Sequence, residues 1–308
     1  MERNVIIIAG PTGAGKTGLA VELSQYFPSE IISADSRQVY KYLTIGTAKP
    51  GTGEMNKVAH HLVDCFEPDF EYNASKFEND SLSIIENLFK AGKTAIVAGG
   101  SGLYLKALVD GIFNSADTDD EFREELLEKR RIHGDNYLYD ELKKIDPVSA
   151  SKMLPQNWKR VIRALEVFHL TGEPIWKLQG EYKRDVECSF IQFGLNWNRA
   201  LLYKRIEDRV DKMIEDGLID ETKNVLQMGF DKNLNALNTV GYKEIIEFLE
   251  DKISLERAVE LIKRNTRRFA KRQMTWFRKD TRIKWIDINS DEDLSAAPQI
   301  ILKHLKNF

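Results

Sequence analysis

The chain has 308 residues, of which 42% are hydrophobic and 30% charged, a composition typical of a globular protein with its own core. The formal net charge of −3 excludes a protein whose overall charge drives nucleic-acid binding. The sequence has no apolar run of about 18 residues, so we expect no membrane partner. Between Lys263 and Lys279, however, there are eight Lys or Arg residues and no acidic one. This basic strip is a candidate surface for phosphate groups.

The first third of the chain alternates buried strands with helices. The apolar run Val5–Ala9 predicts a strand rather than a signal peptide, because Gly10 and Pro11 follow it at once. The other predicted elements are a helix over Lys16–Tyr26, a strand over Glu30–Ser33, a helix over 74–91, a strand over Thr94–Ala98 and a short helix through Leu108. This order predicts an α/β fold with a P-loop NTPase-like parallel sheet and right-handed crossovers.

The pattern changes near Ser115, after which charged amphipathic helices replace strands. We expect helices over Asp120–His133, Tyr137–Ile145 and Trp158–Leu170. A strand over Ser189–Leu195, helices over Arg199–Glu215 and Leu255–Lys279, and a strand over Arg282–Ile288 follow. The sequence therefore predicts a core of residues 1–115 and 185–308, interrupted by a helical insertion domain of residues 116–184.

Histidine and cysteine residues give no sign of a metal site. His60 and His61 are adjacent, so their side chains cannot face one metal from a strand or a helix, and we interpret them as a structural pair. Cys65 and Cys188 are far apart and form no zinc-type spacing. The cysteine usage is consistent with a reducing, cytoplasmic location.

A complete phosphate-loop pattern follows the first strand and precedes the first helix. Its backbone N–H groups and the helix N-terminus are suited to bind a diphosphate or triphosphate. Lys16 is expected to neutralise phosphate oxygens and the Thr17 hydroxyl to bind Mg²⁺. The expected phosphate-binding residues are Gly10, Pro11, Thr12, Gly13, Ala14, Gly15, Lys16 and Thr17.

The loop alone does not identify the reaction. Enzymes that transfer the γ-phosphate usually place an Asp at the end of a later strand, but Thr94–Ala98 ends in Gly99-Gly100-Ser101. The candidate acidic residue is Asp35, at the end of the second strand, where a parallel sheet opens onto its ligand crevice. An Asx-turn or helix-capping role for Asp35 is the alternative.

Several further segments resemble the tRNA dimethylallyltransferases, also called tRNA isopentenyltransferases or IPP transferases. The resemblance spans residues 10 to 278 in the order of the family, and it suggests the compact bacterial form. Its segments are the phosphate loop, Asp35-Ser36-Arg37-Gln38-Val39-Tyr40, Gly46-Thr47-Ala48-Lys49-Pro50, Gly99-Gly100-Ser101-Gly102-Leu103-Tyr104, Arg160 to Glu166, Val240-Gly241-Tyr242 and Lys271 to Arg278.

The resemblance implies transfer of a dimethylallyl group from dimethylallyl diphosphate to the exocyclic amine of an adenosine. That adenosine lies 3′ of the anticodon in tRNAs that read codons beginning with U. The family would use Asp35 as general base, while Lys16, Thr17, Mg²⁺ and Arg209 stabilise the diphosphate. Ser101 stands where the family usually has threonine, and its hydroxyl preserves a possible hydrogen bond in the channel. For Arg209, an exposed charge on a helix is the alternative.

The resemblance also implies contacts with the tRNA anticodon stem-loop, from which the target base must be flipped. Trp276 and Phe277 are the candidates for stacking on a base, with a place in the core as the alternative. The expected tRNA-binding residues are Asp35, Ser36, Arg37, Gln38, Ser101, Arg123, Lys159, Arg160, Val161, Ile162, Arg163, Val240, Gly241, Tyr242, Lys243, Lys271, Arg272, Gln273, Met274, Thr275, Trp276, Phe277 and Arg278.

Three other functions share some of these features. A nucleotide or metabolite kinase would have the same phosphate loop but would consume ATP. A prenyltransferase that modifies free AMP or ADP would not need the helical insertion or the basic strip. An RNA-binding GTPase-like module is disfavoured because the chain has no NKxD-type guanine motif. We expect a monomeric enzyme.

Overall fold

The computed structural model describes residues 3–113, 118–182, 184 and 186–305. The chain divides into two compact units, one of Met1–Val109 with Val186–Phe308 and one of Asp110–Asp185. The expected domain boundaries, at 115–116 and 184–185, each fall at least partly outside the described residues. In the described part of the chain, no helix is both long and apolar enough to cross a membrane.

The first unit contains a parallel sheet. Within the described residues, six strands pair in the order β3-β2-β4-β1-β5-β6, and every pair is parallel. This arrangement confirms the predicted α/β fold. The strands are β1 (Asn4–Ala9), β2 (Ser29–Ala34), β3 (His60–His61), β4 (Thr94–Gly99), β5 (Ser189–Trp197) and β6 (Lys284–Ile288).

Helices connect these strands and cover the sheet, as crossover connections between parallel strands require. For example, the helices over Lys16–Leu23 and Ala74–Lys90 pack on β4, and the helix over Asp291–Leu305 packs on β6. The helices are α1 (Lys16–Leu23), α2 (Thr52–Met55), α3 (Ala74–Lys90), α4 (Gly102–Asp110), α10 (Arg199–Glu215), α11 (Leu218–Gln227), α12 (Tyr242–Leu249), α13 (Leu255–Phe277) and α14 (Asp291–Leu305).

The second unit is helical, and its amphipathic helices bury their apolar faces against one another. Its core includes Leu138, Leu142, Val161 and Leu165. The helices are α5 (Asp120–His133), α6 (Asp135–Ile145), α7 (Pro147–Ser151), α8 (Trp158–Thr171) and α9 (Ile175–Glu181).

The sheet sets the position of the candidate site because the carboxyl ends of its parallel strands meet at one edge. β1 is buried along almost its whole length, with Ile7 and Ile8 fully enclosed. β1 lies between β4 and β5, and β2 lies beside β4. The segments that follow β1, β2 and β4 are therefore brought side by side: the phosphate loop, the turn at Asp35 and the glycine pair before Ser101.

The expected elements differ from the structure in a few places. The first helix ends at Leu23 rather than Tyr26, since residues 24–28 form turns and bends before β2. His60 and His61 form the short edge strand β3, and His61 Nε2–H donates a hydrogen bond to Glu30 Oε2, 2.6 Å away. No bounds were predicted for α2, α7, α9, α11, α12 and α14. Of these, α2 and α7 are too short to show a helical period.

Candidate active site

The phosphate loop wraps around the N-terminus of α1. Gly13 and Gly15 have φ values of 80° and 82°, in the left-handed region that favours glycine, and α1 begins directly afterwards at Lys16. Such a turn directs successive backbone N–H groups toward one point, and the helix dipole adds positive potential there. The loop geometry therefore suits a phosphate or diphosphate group.

Lys16 lies in a poorly solvated position beside the loop. Its Nζ donates a hydrogen bond to the Pro11 carbonyl oxygen at 2.8 Å. Burial lowers the pKa of Lys16 to about 8; the nearby Asp35 carboxylate acts to raise this pKa and the Arg209 guanidinium acts to lower it. Because an anion favours the ammonium form, a bound diphosphate would keep Lys16 charged at neutral pH.

Asp35 ends the second strand and shapes its own turn. Its Oδ1 accepts a hydrogen bond from the Arg37 N–H at 2.9 Å, so the alternative of an Asx-turn is observed. Among the described residues no donor reaches Oδ2, which leaves this oxygen for an amine. The Ser101 Oγ accepts a hydrogen bond from the Ser36 N–H at 3.0 Å, so Ser101 also supports the turn.

Arg209 reaches the phosphate loop from α10. Its Nη2 donates a hydrogen bond to Thr12 Oγ1 at 2.6 Å, and its buried Nε has no hydrogen-bond partner among the described residues. Burial lowers the pKa of Arg209, and the negative charge of Asp35 opposes this effect. The guanidinium is therefore part of the candidate site, and the alternative of an exposed helix charge is wrong.

Two cavities meet at these residues. The first, of about 370 Å³, is lined by the phosphate loop, including Lys16 and Thr17. The second, of about 300 Å³, is lined by Ser36, Ser101 and Lys243 among others. Both cavities are lined by Thr12, Asp35, Thr47, Arg209, Phe269 and Gln273. Ligands bound in the two cavities would thus meet beside Asp35.

The residues of the first cavity fit a magnesium ion. Mg²⁺ prefers oxygen ligands and commonly binds through one or two protein oxygens together with substrate phosphates. The Thr17 hydroxyl and the Asp35 carboxylate line the same cavity as the loop. Among the described residues, no group of three or more His, Cys, Asp or Glu side chains could hold a metal ion.

Gln273, on α13, joins two parts of the site from a nearly buried position. Its Oε1 accepts a hydrogen bond from the Thr12 N–H at 2.8 Å, and its Nε2 donates one to the Gly100 carbonyl oxygen at 2.9 Å. The side chain therefore connects the loops that follow β1 and β4. Gln273 also lines both cavities, and its expected contact with tRNA stays a prediction.

Replacing Gln273 with methionine should lower the free energy of unfolding by about 1–3 kcal/mol, because a buried N–H and a buried carbonyl lose their partner. Urea unfolding at equilibrium measures the change. The control is Gln299→Met, an exposed residue on α14 that donates a hydrogen bond to the Tyr26 hydroxyl. Its effect should stay within about 0.5 kcal/mol. Equal unfolding midpoints for the two variants would contradict the structural role of Gln273.

Other expected tRNA-binding residues divide into exposed and buried groups. In the first unit, Lys243, Lys271, Arg272, Thr275, Trp276 and Arg278 are exposed, while Ser36, Arg37, Val240 and Met274 are partly exposed. In the second unit, Lys159 and Arg160 are exposed, and Arg123 and Arg163 are partly so. Seven of the expected residues are buried: Gln38, Val161, Ile162, Gly241, Tyr242, Gln273 and Phe277. Two of them, Gln38 and Gln273, nevertheless line a cavity. Contact of these seven residues with tRNA stays a prediction.

The basic strip is also smaller than its sequence suggested. Lys263 pairs with Asp211 at 2.6 Å, and Arg267 pairs with Glu207. Acidic residues of α10 thus neutralise the first part of the strip across the α10–α13 contact. The more distal cations, Lys271, Arg272 and Arg278, are exposed.

A buried carboxylate organises two of the arginines expected to bind tRNA. Glu166 has a fully buried side chain and pairs with Arg123 at 2.7 Å and with Arg163 at 2.6 Å. It also accepts a hydrogen bond from the Asp119 N–H at 3.0 Å. The spacing of Arg163 and Glu166 on one helix face was a local signal of this pair, but the contact with Arg123 had none.

A parallel sheet whose first strand leads into a phosphate loop, with cavities at the carboxyl ends of its strands, defines a P-loop α/β protein whose loop is suited to phosphorylated ligands. Residues 38–280 match the family model described as IPP transferase. The chain therefore belongs to the IPP transferase family, as its sequence motifs indicated.

Relatives cover almost the whole chain. The tRNA dimethylallyltransferase of Carboxydothermus hydrogenoformans is 47% identical over 98% of this chain and 97% of its own length. That of Thermotoga neapolitana is 45% identical over 98% of both chains.

Solved structures that are similar to this chain also include enzymes of this family. The tRNA isopentenylpyrophosphate transferase of Bacillus halodurans has a TM-score of 0.72 at 36% identity, over 99% of this chain and 98% of that one. A eukaryotic dimethylallyltransferase acting on tRNA has a TM-score of 0.82 at 30% identity, over 97% of this chain and 77% of that one.

Proposed function

We propose that this protein transfers a dimethylallyl group from dimethylallyl diphosphate to the exocyclic amine of the adenosine 3′ of the anticodon, in tRNAs that read codons beginning with U. The products would be isopentenyladenosine and diphosphate. The observation that carries the proposal is the meeting of two cavities at Asp35, with the phosphate loop in one and Ser36, Arg37 and Lys243 along the other.

The proposed reaction needs help at two points: the amine nucleophile is weak, and the leaving group becomes negatively charged. The lone pair of an adenine amine is delocalised into the ring, so the amine is a poor nucleophile, and Asp35 would accept its proton as the carbon–nitrogen bond forms. The carbon–oxygen bond to diphosphate breaks in the same step. Lys16, Arg209 and the loop amides would stabilise the negative charge that develops on the leaving group. Mg²⁺ held by the Thr17 hydroxyl would supply further charge neutralisation.

Two observations favour this reaction over a kinase. β4 ends at Gly99 and is followed by Gly100 and Ser101, so no Asp stands at the position where enzymes that transfer the γ-phosphate usually bind magnesium. Relatives at 40–47% identity carry the name tRNA dimethylallyltransferase. In the proposed reaction the loop holds a leaving group, and no phosphoryl group is transferred.

The proposal includes tRNA rather than a free nucleotide as acceptor. Its support is the set of exposed cations Lys159, Arg160, Lys271, Arg272 and Arg278, in positions that match the family motifs. Basic side chains of this kind bind phosphates and fix the register of an RNA. A monomeric enzyme in the cytoplasm is part of the same proposal.

The direct test uses unmodified tRNA and dimethylallyl diphosphate, followed by nuclease digestion and mass spectrometry of the fragments. The dimethylallyl group should appear on the adenosine 3′ of the anticodon, and a tRNA with guanosine at that position should remain unmodified. Free AMP and ADP serve as competing acceptors. Faster modification of either nucleotide than of tRNA would favour a free-nucleotide prenyltransferase and contradict the proposal.

The affinity for tRNA should fall steeply with salt, because each neutralised phosphate releases counterions. With about four phosphate contacts we expect a loss of about 100-fold between about 50 and 200 mM salt. Lys271→Gln should reduce the slope by about one contact. Lys263→Gln, on the same helix but paired with Asp211, is the matched control and should leave the slope unchanged. Salt-independent binding in a filter assay would contradict the role of the basic strip.

A further inference from the structure

A carboxylate outside the two cavities holds the turn that forms part of their walls. Glu221 lies on α11 and accepts hydrogen bonds from three consecutive backbone N–H groups. The distances are 2.9 Å from Thr44, 2.8 Å from Ile45 and 3.1 Å from Gly46. Three convergent N–H groups bind a carboxylate well because each bond is assisted by its charge. Glu221 therefore fixes the backbone of residues 44–46, which we call the 44–46 turn.

Tyr242 completes this contact from α12. Its hydroxyl donates a hydrogen bond to Glu221 Oε1 at 2.6 Å, and the side chain is fully buried. Burial and the Glu221 charge raise the pKa of Tyr242, so the phenol remains a donor. The ring also packs on Gly46, where an added Cβ would lie 2.5 Å from the Tyr242 Cζ. Glycine is therefore required at this position for the turn to approach the ring.

The three residues after the turn, Thr47 to Lys49, have hydrogen-bond and ion-pair partners of their own. Gln38 Nε2 donates hydrogen bonds to the Ala48 carbonyl oxygen at 2.9 Å and to the Thr47 carbonyl oxygen at 3.2 Å. Lys49 pairs with Asp64 in a nearly buried position. The segment from Thr44 to Lys49 is thus held along its whole length. Glu221 of α11 binds its first three residues.

Residues of this segment line both cavities. Thr47, Ala48 and Lys49 line the cavity of the phosphate loop. Gly46 and Thr47 line the cavity that contains Ser36, Ser101 and Lys243. A shift of the 44–46 turn would therefore change the wall at the place where the two ligands meet, close to Asp35.

We propose that Glu221, together with Tyr242, is a positioning residue that fixes the wall between the donor and acceptor cavities and so sets the alignment of the two substrates. The inference rests on the proposed prenyl transfer. Glu221 itself lines neither cavity, so its effect must pass through the 44–46 turn. Misalignment of two bound reactants slows the chemical step strongly even where binding is retained.

Glu221→Gln is the sharpest substitution, because the amide has the shape of the carboxylate but turns one acceptor oxygen into a donor. That donor would face backbone N–H groups, so the turn must move. We expect kcat to fall about tenfold, while the KM values for dimethylallyl diphosphate and tRNA stay within about twofold. Amides of residues 44–46 should exchange with deuterium about tenfold faster, a readout that does not depend on activity.

Thr222→Val is the matched control. Thr222 is the next residue on α11, is fully buried and donates its hydroxyl hydrogen to the Leu218 carbonyl oxygen, without touching the turn. This variant should keep wild-type kcat and wild-type exchange at residues 44–46. Tyr242→Phe, which removes one donor to Glu221, should shift both readouts in the same direction as Glu221→Gln but less. If Glu221→Gln does not fold, Tyr242→Phe takes its place in the experiment.

The result separates this inference from the proposed function. If the wild-type protein transfers no dimethylallyl group to tRNA, the proposed function fails, whatever the variants do. With an active wild-type protein, the role of Glu221 is overturned by unchanged kcat in both variants, by unchanged amide exchange, or by higher KM values at constant kcat. A lower kcat with constant KM values and faster exchange supports it.

Discussion

Replacing Asp35 with asparagine is expected to lower kcat by at least about 100-fold, while the Kd for tRNA stays within about twofold. Asparagine keeps an oxygen that can accept the Arg37 N–H, so the turn after β2 remains. It cannot accept the proton of the adenine amine. The substitution therefore removes the base that we propose and spares the hydrogen bond of the turn.

Single-turnover measurements with enzyme in excess isolate the chemical step for this variant. Asp35→Ala is the informative comparison, because it removes both the base and the turn acceptor. We expect both variants to be slow, and the alanine variant to bind tRNA less well than the asparagine variant. Near-wild-type turnover of Asp35→Asn would remove Asp35 from the role of general base and leave only its part in the turn.

Replacing Lys16 with methionine is expected to reduce kcat by about 100- to 1,000-fold, the usual effect of deleting one group that stabilises a developing anion. Methionine keeps much of the side-chain volume beside Pro11 but has no charge. Lys16→Arg is the control that retains charge and should recover part of the activity. Transient kinetics with dimethylallyl diphosphate and tRNA measure all three proteins. Equal rates for methionine and lysine would show that Lys16 does not act on the diphosphate.

The lowered pKa of Lys16 also predicts a dependence on pH. Without ligand, Lys16 is protonated below pH about 8 and neutral above it, so the affinity for dimethylallyl diphosphate should decline as pH rises through that value. The unfolded chain binds this proton more tightly than the folded one, since the ordinary pKa is 10.5. Deprotonation of Lys16 should therefore increase the free energy of unfolding as pH rises from about 8 to 10.5. Lys16→Met should lack both effects.

The part of the site that depends on local pattern could be predicted from the sequence. The phosphate loop needs its glycines, lysine and threonine at fixed spacing, and Asp35 follows a strand whose neighbours are set by the α/β alternation. Parallel strands bring their carboxyl ends together without any knowledge of side-chain packing. For this reason the loop, Asp35 and Ser101 were expected on one edge of the sheet.

The contacts that hold these groups in place were not predictable in the same way. Glu221 is 177 residues from Thr44, and Gln273 is 261 residues from Thr12. No periodicity or spacing reports a contact over such distances, because helix and strand patterns encode only which face is buried. For the same reason the sequence did not show that the side chains of Tyr242 and Phe277 face the core, and their motif positions suggested RNA contact.

In the proposed reaction the phosphate loop holds a diphosphate that leaves intact as the dimethylallyl group moves to tRNA. The most direct test is one reaction with dimethylallyl diphosphate labelled by radiocarbon in the prenyl group and by radiophosphorus in the diphosphate. We predict that all transferred carbon label is found in tRNA, with an equal amount of phosphorus label released as diphosphate. Phosphorus label on tRNA or on any other acceptor would contradict the account.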